Sequence, residues 1–396
     1  MIKFDFNTYT KKFIEEKEYN KLIEKKDYYT ELLTKDNMTG WMKDIDNKLI
    51  EDIKNTGTYI KKNFDCLVVI GIGGSFLGSY SFNNIFKRYF NDKKFEVIYA
   101  GTTLSSKFLN ELLEYLNNKN FCVNVISKSG ATMETTITYK LIKDLIKRKY
   151  GEEANNHIIV TTDKEKGLLR EEVNENGFKS FEIPKDIGGR YSFMTPAHLL
   201  PLSVNYDIDE IIKGYYHGRR LIDYAYQYAV VRKLLFDKKK YIENYCIYEE
   251  NLLSFTEWLK QLFGETEGKN NKGIFPVSTL NTRDLHSLGQ FIQEGNKILF
   301  ETYIKIKESD NYIKYNNRTL HEINNIVEDS VLRAHVKGGV PCIEIELDNI
   351  TPYNISSLIY FFQLSAAFSG YLFEVYPFDQ PGVEVYKEEV KNSLQG

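Results

Sequence analysis

"CLVVIGIGGSFLGSYSFNNIF", residues 66 to 86, joins an apolar run, a glycine-rich turn and an amphipathic stretch. The run reads as a strand apolar on both faces, and the stretch after the turn as a helix. A strand, a glycine turn and a helix start together point to an anion. Glycines let backbone N–H groups approach it closely, at the positive end of a helix dipole. Two nucleotide templates fail here. The dinucleotide pattern G-x-G-x-x-G, started at Gly71, needs glycine where Phe76 stands, and no acid ends the next strand-like run, FEVIYAGTT (95–103). The nucleotide P-loop fits at Gly73 and Gly78, but Ser79-Tyr80 replaces its lysine and hydroxyl. The loop therefore holds some other phosphate or backs a pocket.

Outward from this stretch the same alternation continues. The β-branched runs FEVIYAG, FCVNVIS and HIIVTTD (157–163) are separated by amphipathic segments such as LSSKFLNELLEYLNN and TTITYKLIKDLIKRKYG. Runs apolar on both faces and joined by helices predict a parallel sheet covered on both sides. The pattern restarts with YCIYEE (245–250), GIFPVST (273–279), ILFETYIKI (298–306) and PCIEIEL (341–347). The expected architecture is α/β, with two doubly wound parallel-sheet lobes in tandem. Residues 1–45 form a helical N-terminal segment, 46–206 the first lobe, 207–240 a helical connector, and 241–396 the second lobe with a C-terminal helix. Ligands of such sheets sit beyond the carboxyl ends of the strands.

Composition narrows the class. The 396 residues exceed one ordinary core, and 42% hydrophobic content with 14% aromatics supplies sizeable ones. A formal net charge of −3 with interspersed signs gives no basic field for nucleic acid. The charged start MIKFDFNTYTKKFIEEKEYN has no apolar signal core, and no apolar run approaches the roughly 18 residues of a membrane helix. A cytoplasmic protein is expected. Cys66, Cys122, Cys246 and Cys342 lack metal-site spacing, and each sits in or beside a strand-like run, so they read as reduced core residues.

The turn after the third run, ISKSGATMETT (126–136), crowds Ser127, Ser129, Thr132 and Thr135 with Lys128 where a helix begins. One N-cap needs one hydroxyl; four, with exposed backbone N–H groups, suit a small phosphomonoester. In DIGGRYSFMTPAHLL (186–200), Gly188-Gly189 turns the backbone and presents Arg190. In EWLKQLFGETEGKNNKG (257–273) an amphipathic helix is expected to end at Gly264, followed by Glu265, with Glu267 an equal candidate acid on local grounds. RDLHSLGQFIQEG (283–295) places His286 early in a helix whose buried stripe is expected to be Leu285, Leu288, Phe291 and Ile292. PFDQPGVEVYKEEV (377–390) has a Pro/Gly turn before a helix carrying Lys387 among Glu384, Glu388 and Glu389, the usual setting of a solvent-face ion pair.

Together these stretches resemble the glucose-6-phosphate isomerases. DIGGRYSFMTP and GYLFEVYPFDQPGVEVYK (370–387) resemble the two signatures of that family. IGIGGSFLGS, VISKSGATMET, FGETEGK and DLHSLGQFIQEG resemble its short bacterial branch, over about residues 40 to 390. The resemblance implies two sugar-isomerase (SIS-type) lobes, a homodimer with an active site shared between subunits, a sugar-phosphate substrate, and neither metal nor cofactor. It also implies roles. Glu265 shuttles a proton between C1 and C2, His286 helps open the sugar ring, Lys387 lies at the ring oxygen and Arg190 steadies an enediolate. Gly74, Ser75, Ser127, Lys128, Ser129 and Thr132 contact substrate and phosphate. His198 stands where relatives usually have a small residue, and Ala131 where a hydroxyl is common. The alternatives are an isomerase also using mannose 6-phosphate, and a non-catalytic sugar-phosphate sensor on the same lobes. No basic helix-turn-helix segment accompanies the lobes, which weighs against the sensor.

Overall fold

The computed structural model describes residues 2–309 and 312–395. Its first element is a short strand, β1 (Ile2–Asp5), where the sequence suggests only helix. Helices Glu16–Ile23 and Lys26–Lys35 follow.

Residues 37–209 form one compact unit. Its five strands are β2 (Cys66–Ile70), β3 (Glu96–Ala100), β4 (Phe121–Ile126), β5 (Ile158–Thr162) and β6 (Lys179–Glu182), in the order β3-β2-β4-β5-β6. All neighbours are parallel, with Val68 opposite Ile98 on one side and Val123 on the other. Every residue of β2, β4 and β5 is buried, which is why these runs are apolar on both faces. Val68, Ile70, Val123 and Val125 share a core with Leu112 and Leu116 of helix Ser106–Asn117 and with Ile142 and Ile146 of helix Met133–Tyr150. Strand order reverses between β2 and β4, so the crevice of this sheet opens beyond Ile70 and Ile126. The two hydroxyl- and glycine-rich turns leave the sheet at these two points.

The second unit comprises the chain up to Asp36 and from Glu210 onward. Its strands are β7 (Ile242–Ile247), β8 (Phe275–Leu280), β9 (Leu299–Ile306) and β12 (Cys342–Leu347), with β1 at the edge, in the order β1-β12-β9-β7-β8. Within this five-stranded sheet β1 runs antiparallel to its neighbour, pairing Phe4 with Ile345, and the other described pairs are parallel. A two-stranded ribbon, β10 (Lys314–Tyr315) and β11 (Arg318–Thr319), turns through Asn316 and Asn317, both at positive φ. The expected connector is two helices, Ile208–His217 and Ile222–Asp237. The second of these packs against Pro352–Leu372, a helix of 21 residues.

That helix corrects one expectation. By length and composition Pro352–Leu372 is apolar enough to cross a membrane, and 94% of its most apolar window is buried inside the protein. Ser356, Ser357, Ser365 and Ser369 interrupt the apolar run in sequence, yet all four are buried. Helical Ser357 and Ser365 return their hydroxyls to the carbonyls of Tyr353 and Phe361, so the helix enters the core without unsatisfied hydroxyls there. It is a core helix.

Candidate active site

In the unit 37–209, β2 leads into a 3-10 turn, Gly73–Ser75, and then helix Leu77–Ile85. Gly73 has φ +56°, a left-handed conformation that favours glycine. Gly74 faces a different constraint. A Cβ built there would lie 2.2 Å from the carbonyl carbon of Gly189, so the two glycine turns meet backbone to backbone. Ser75 is half-buried. The neighbouring turn, Gly189–Met194, carries Arg190, which is buried, its guanidinium 5.6 Å from the Tyr191 ring centroid.

Beyond β4, the second turn is held by its own hydroxyls. Ser127 Oγ accepts from the Gly130 N–H at 3.1 Å, Ser129 Oγ accepts from the Ala131 N–H at 3.2 Å, and Thr136 Oγ1 donates to the Gly130 carbonyl at 3.1 Å. A serine that accepts retains its O–H for donation elsewhere. Thr132 is the N-cap of helix Met133–Tyr150 but makes no side-chain cap bond, so capping does not account for its hydroxyl. Lys128 is exposed, its Nζ 3.4 Å from the Lys185 carbonyl. Thr135 belongs to the hydroxyl cluster read from the sequence, though the resemblance assigns it no contact. Its side chain is buried in the first turn of the helix, and its hydroxyl has no hydrogen-bond partner among the described residues. It stands beside Gly101, where an added Cβ would be 3.6 Å from Thr135 Cα. Its place in the hydroxyl cluster was the available signal.

In the other unit, helix Leu253–Glu267 runs past the expected stop at Gly264 and is capped by Gly268, whose N–H bonds the Gly264 carbonyl at 3.0 Å. Burial of Thr266 and Glu267 holds this extra turn in place. Glu265 therefore lies on a helix, half-buried, with its Oε1 accepting from Gln261 Nε2 at 3.0 Å. Glu267 has a different fate. It is fully buried in a bidentate pair with Arg232, which also bonds Glu243 at 2.7 Å, and its Oε2 accepts from the Ile274 N–H at 3.3 Å. Both carboxylate oxygens are committed, so the two acids that looked equal in sequence differ in structure.

Lys387 is exposed on helix Gly382–Gln395 and pairs with Glu384 at 2.7 Å, the ordinary i,i+3 partner. The turn before this helix is tied to the end of the Glu265 helix, where Lys269 Nζ bonds Asp379 at 2.7 Å and Lys272 bonds Glu374 at 3.0 Å. Glu265 and the Lys387 turn thus share the end of the sheet where its strands begin. His286 does not. It ends the 3-10 turn Arg283–His286, which follows the carboxyl end of β8 and is fastened there by the Leu280 N–H to Asp284 Oδ2 at 2.8 Å. A strand of the length of β8 puts on the order of 15–20 Å between these ends. The buried stripe expected beside His286 is also only partial. Ile292 is buried, but Leu288 and Phe291 are 47% and 46% exposed, and His286 itself is exposed. The helix here is only Gly289–Glu294, too short to turn that stripe inward.

Beyond β7 and β9 lies a cavity of about 360 Å³ whose lining includes Glu249, Thr282, His321 and Asn324. Burial pushes the Glu249 carboxyl above its ordinary pKa. Among the described residues no group of three His, Cys, Asp or Glu side chains is arranged to hold a metal ion. All four cysteines are buried free thiols, and burial pushes the Cys66 thiol up to about 12.

The family model described as phosphoglucose isomerase matches residues 32–326. A glucose-6-phosphate isomerase of Mycoplasmopsis pulmonis is 43% identical, with 90% of each chain covered. One from Clostridium tetani is 42% identical over 89% of this chain and 85% of its own. In three dimensions the chain is similar to a crystal structure of a glucose-6-phosphate isomerase from Chlamydia trachomatis, with TM-score 0.76 and 18% identity, covering 91% of this chain and 77% of that one.

Proposed function

The chain belongs to the phosphoglucose isomerase family, and from that premise we infer that it catalyses the reversible isomerisation of glucose 6-phosphate and fructose 6-phosphate. It is an aldose–ketose isomerase acting on a small sugar phosphate. Its setting is the cytoplasm, in glycolysis and gluconeogenesis.

Aldose–ketose exchange moves one proton between adjacent carbons through a cis-enediol, so it needs one base on one face that can return the proton. Glu265 is that base. The observation that supports the assignment is the commitment of both Glu267 oxygens to Arg232 and the Ile274 N–H, which sets aside the other candidate acid of this segment. Arg190 supplies a fixed positive charge for the enediolate oxygen without competing for the proton. The turns with Gly74, Ser75, Ser127, Lys128, Ser129 and Thr132 hold the phosphate and hydroxyls of the sugar, and the unpartnered hydroxyl of Thr135 adds a donor there. Lys387 meets the ring oxygen.

The protein acts as a homodimer in which the histidine is exchanged. Within one unit, Glu265 and His286 lie at opposite ends of the sheet, which supports a site completed by His286 of the partner subunit. The exposed apolar pair Leu288 and Phe291 beside His286 is consistent with a covered interface. A coupled assay of fructose 6-phosphate conversion, with EDTA present and mannose 6-phosphate as the control substrate, tests the reading. Absence of glucose 6-phosphate formation overturns it.

A further inference from the structure

We propose that His198 is a positioning residue that clamps the substrate turn Gly73–Ser75 against the turn bearing Arg190. The inference rests on the functional reading above and extends it to a side chain outside the candidate reacting set.

His198 sits on helix Pro196–Ser203, and 1% of its surface is exposed. Its Nδ1 receives the backbone N–H of Ser79 at 3.0 Å, and its Nε2 lies 2.7 Å from the Gly74 carbonyl oxygen. A backbone N–H is only a donor and a carbonyl only an acceptor, so both bonds exist together in one form of the ring alone. That form is neutral, with the proton on Nε2. Burial lowers the pKa to about 4, which keeps this form across the physiological range. Ser192 Oγ adjoins the same point, 2.8 Å from the Gly74 oxygen, 2.5 Å from the Gly189 oxygen and 3.1 Å from Nε2.

The clamp has two ends and a fixed body. One nitrogen satisfies an N–H in the first turn of helix Leu77–Ile85, which the helix cannot pair internally. The other holds the carbonyl of the residue whose backbone meets Gly189. The ring itself is fixed by Phe193, with centroids 6.2 Å apart and planes 21° apart, and by Gly78, where an added Cβ would come within 3.1 Å of the imidazole. Ser75 follows Gly74, which His198 holds, and Arg190 follows Gly189, whose carbonyl is bonded by the Ser192 hydroxyl beside the same Nε2, so the spacing of the two turns depends on His198 together with Ser192.

The test uses the full-length protein in two independent arms. In ¹⁵N spectra of the imidazoles, the resonance lost in His198→Leu is expected to be a neutral Nε2–H tautomer that does not titrate between pH 5 and 8. A titrating signal, or the Nδ1–H tautomer, overturns the clamp whatever the activity. In kinetics, His198→Leu keeps bulk but removes both bonds, and a misplaced substrate turn costs roughly ten- to hundredfold in kcat/KM for fructose 6-phosphate, mostly in KM. His198→Gln, which can both donate and accept, is expected to recover part of that loss. Unchanged KM in the leucine variant with only a lowered melting temperature overturns the positioning role. Should the leucine variant not fold, the wild-type spectrum and the glutamine variant still decide. Wild-type protein that binds but never converts fructose 6-phosphate would contradict the functional reading instead, and the spectroscopic arm would stand apart from it.

Discussion

Glu267 and Arg232 form an ion pair in which neither side chain is exposed to solvent. Arg232 also holds Glu243, and Tyr228 and Tyr245 donate to that second carboxylate, so the guanidinium sits in a closed polar network inside the unit. Breaking such a pair leaves a buried charge short of a partner and costs about 3 kcal/mol or more. Glu267→Gln should therefore lower the denaturation midpoint while the surviving folded enzyme retains turnover. Urea titration with parallel activity measurements checks this. Loss of turnover at unchanged stability would transfer the base role to Glu267.

The turns proposed to hold the phosphate make a kinetic prediction. Ser127→Ala combined with Thr132→Ala should raise KM far more than it lowers kcat, since phosphate contacts bind ground and transition states alike, at roughly 1.5–3 kcal/mol per charge-assisted bond. Thr135→Val should act in the same direction, because its buried hydroxyl is otherwise unpaired. Steady-state kinetics and competition by a phosphate-bearing inhibitor measure both. Unchanged inhibitor affinity would remove these turns from the site.

Much of this was legible from the residues, for physical reasons. Strands buried on both faces write themselves as apolar runs, so β2, β4, β5, β7, β9 and β12 were visible. β1 and β6 have four residues each with mixed burial, and tertiary pairing rather than pattern makes them strands. The extension of a helix beyond Gly264 was hidden because local propensity favours a stop there, while burial of Thr266 and Glu267 decides otherwise. For the same reason sequence could not separate Glu265 from Glu267: the discriminating partner, Arg232, is 35 residues away from Glu267. The clamp by His198 spans 119 residues to Ser79 and left no local pattern at all.

Glu328 gives a pH prediction. It is buried, with Oε1 lacking a hydrogen-bond partner among the described residues, and burial raises its pKa to about 8, Lys305 opposing and Asp329, Glu344 and Glu249 adding to the rise. The native state thus holds a proton that the unfolded chain releases above its ordinary pKa of 4.5. Stability from this group is complete below pH 4.5 and is lost progressively as the pH climbs to about 8. Glu328→Gln should remove that decline, so that its advantage over wild type in thermal midpoint grows from pH 5 to pH 8. An advantage that shrinks with pH contradicts the neutral buried carboxyl.

A shared site predicts complementation. Glu265→Ala and His286→Ala should each be inactive alone. After mild dissociation and subunit exchange, random pairing in a two-fold dimer yields about half hybrids, each with one intact site, and so roughly a quarter of wild-type activity. Hybrid formation confirmed by native mass spectrometry without recovered activity would mean that each site is built within one chain.

The most direct test of the whole account follows the proton. Wild-type enzyme converting fructose 6-phosphate in D₂O should place deuterium at C2 of the glucose 6-phosphate formed. Glu265→Gln should still bind the sugar phosphate but lose both turnover and exchange by roughly 10²–10⁴-fold, the contribution of a positioned acid–base group. Turnover within tenfold of wild type in that variant, with deuterium still entering at C2, would contradict the assignment of Glu265 as the base.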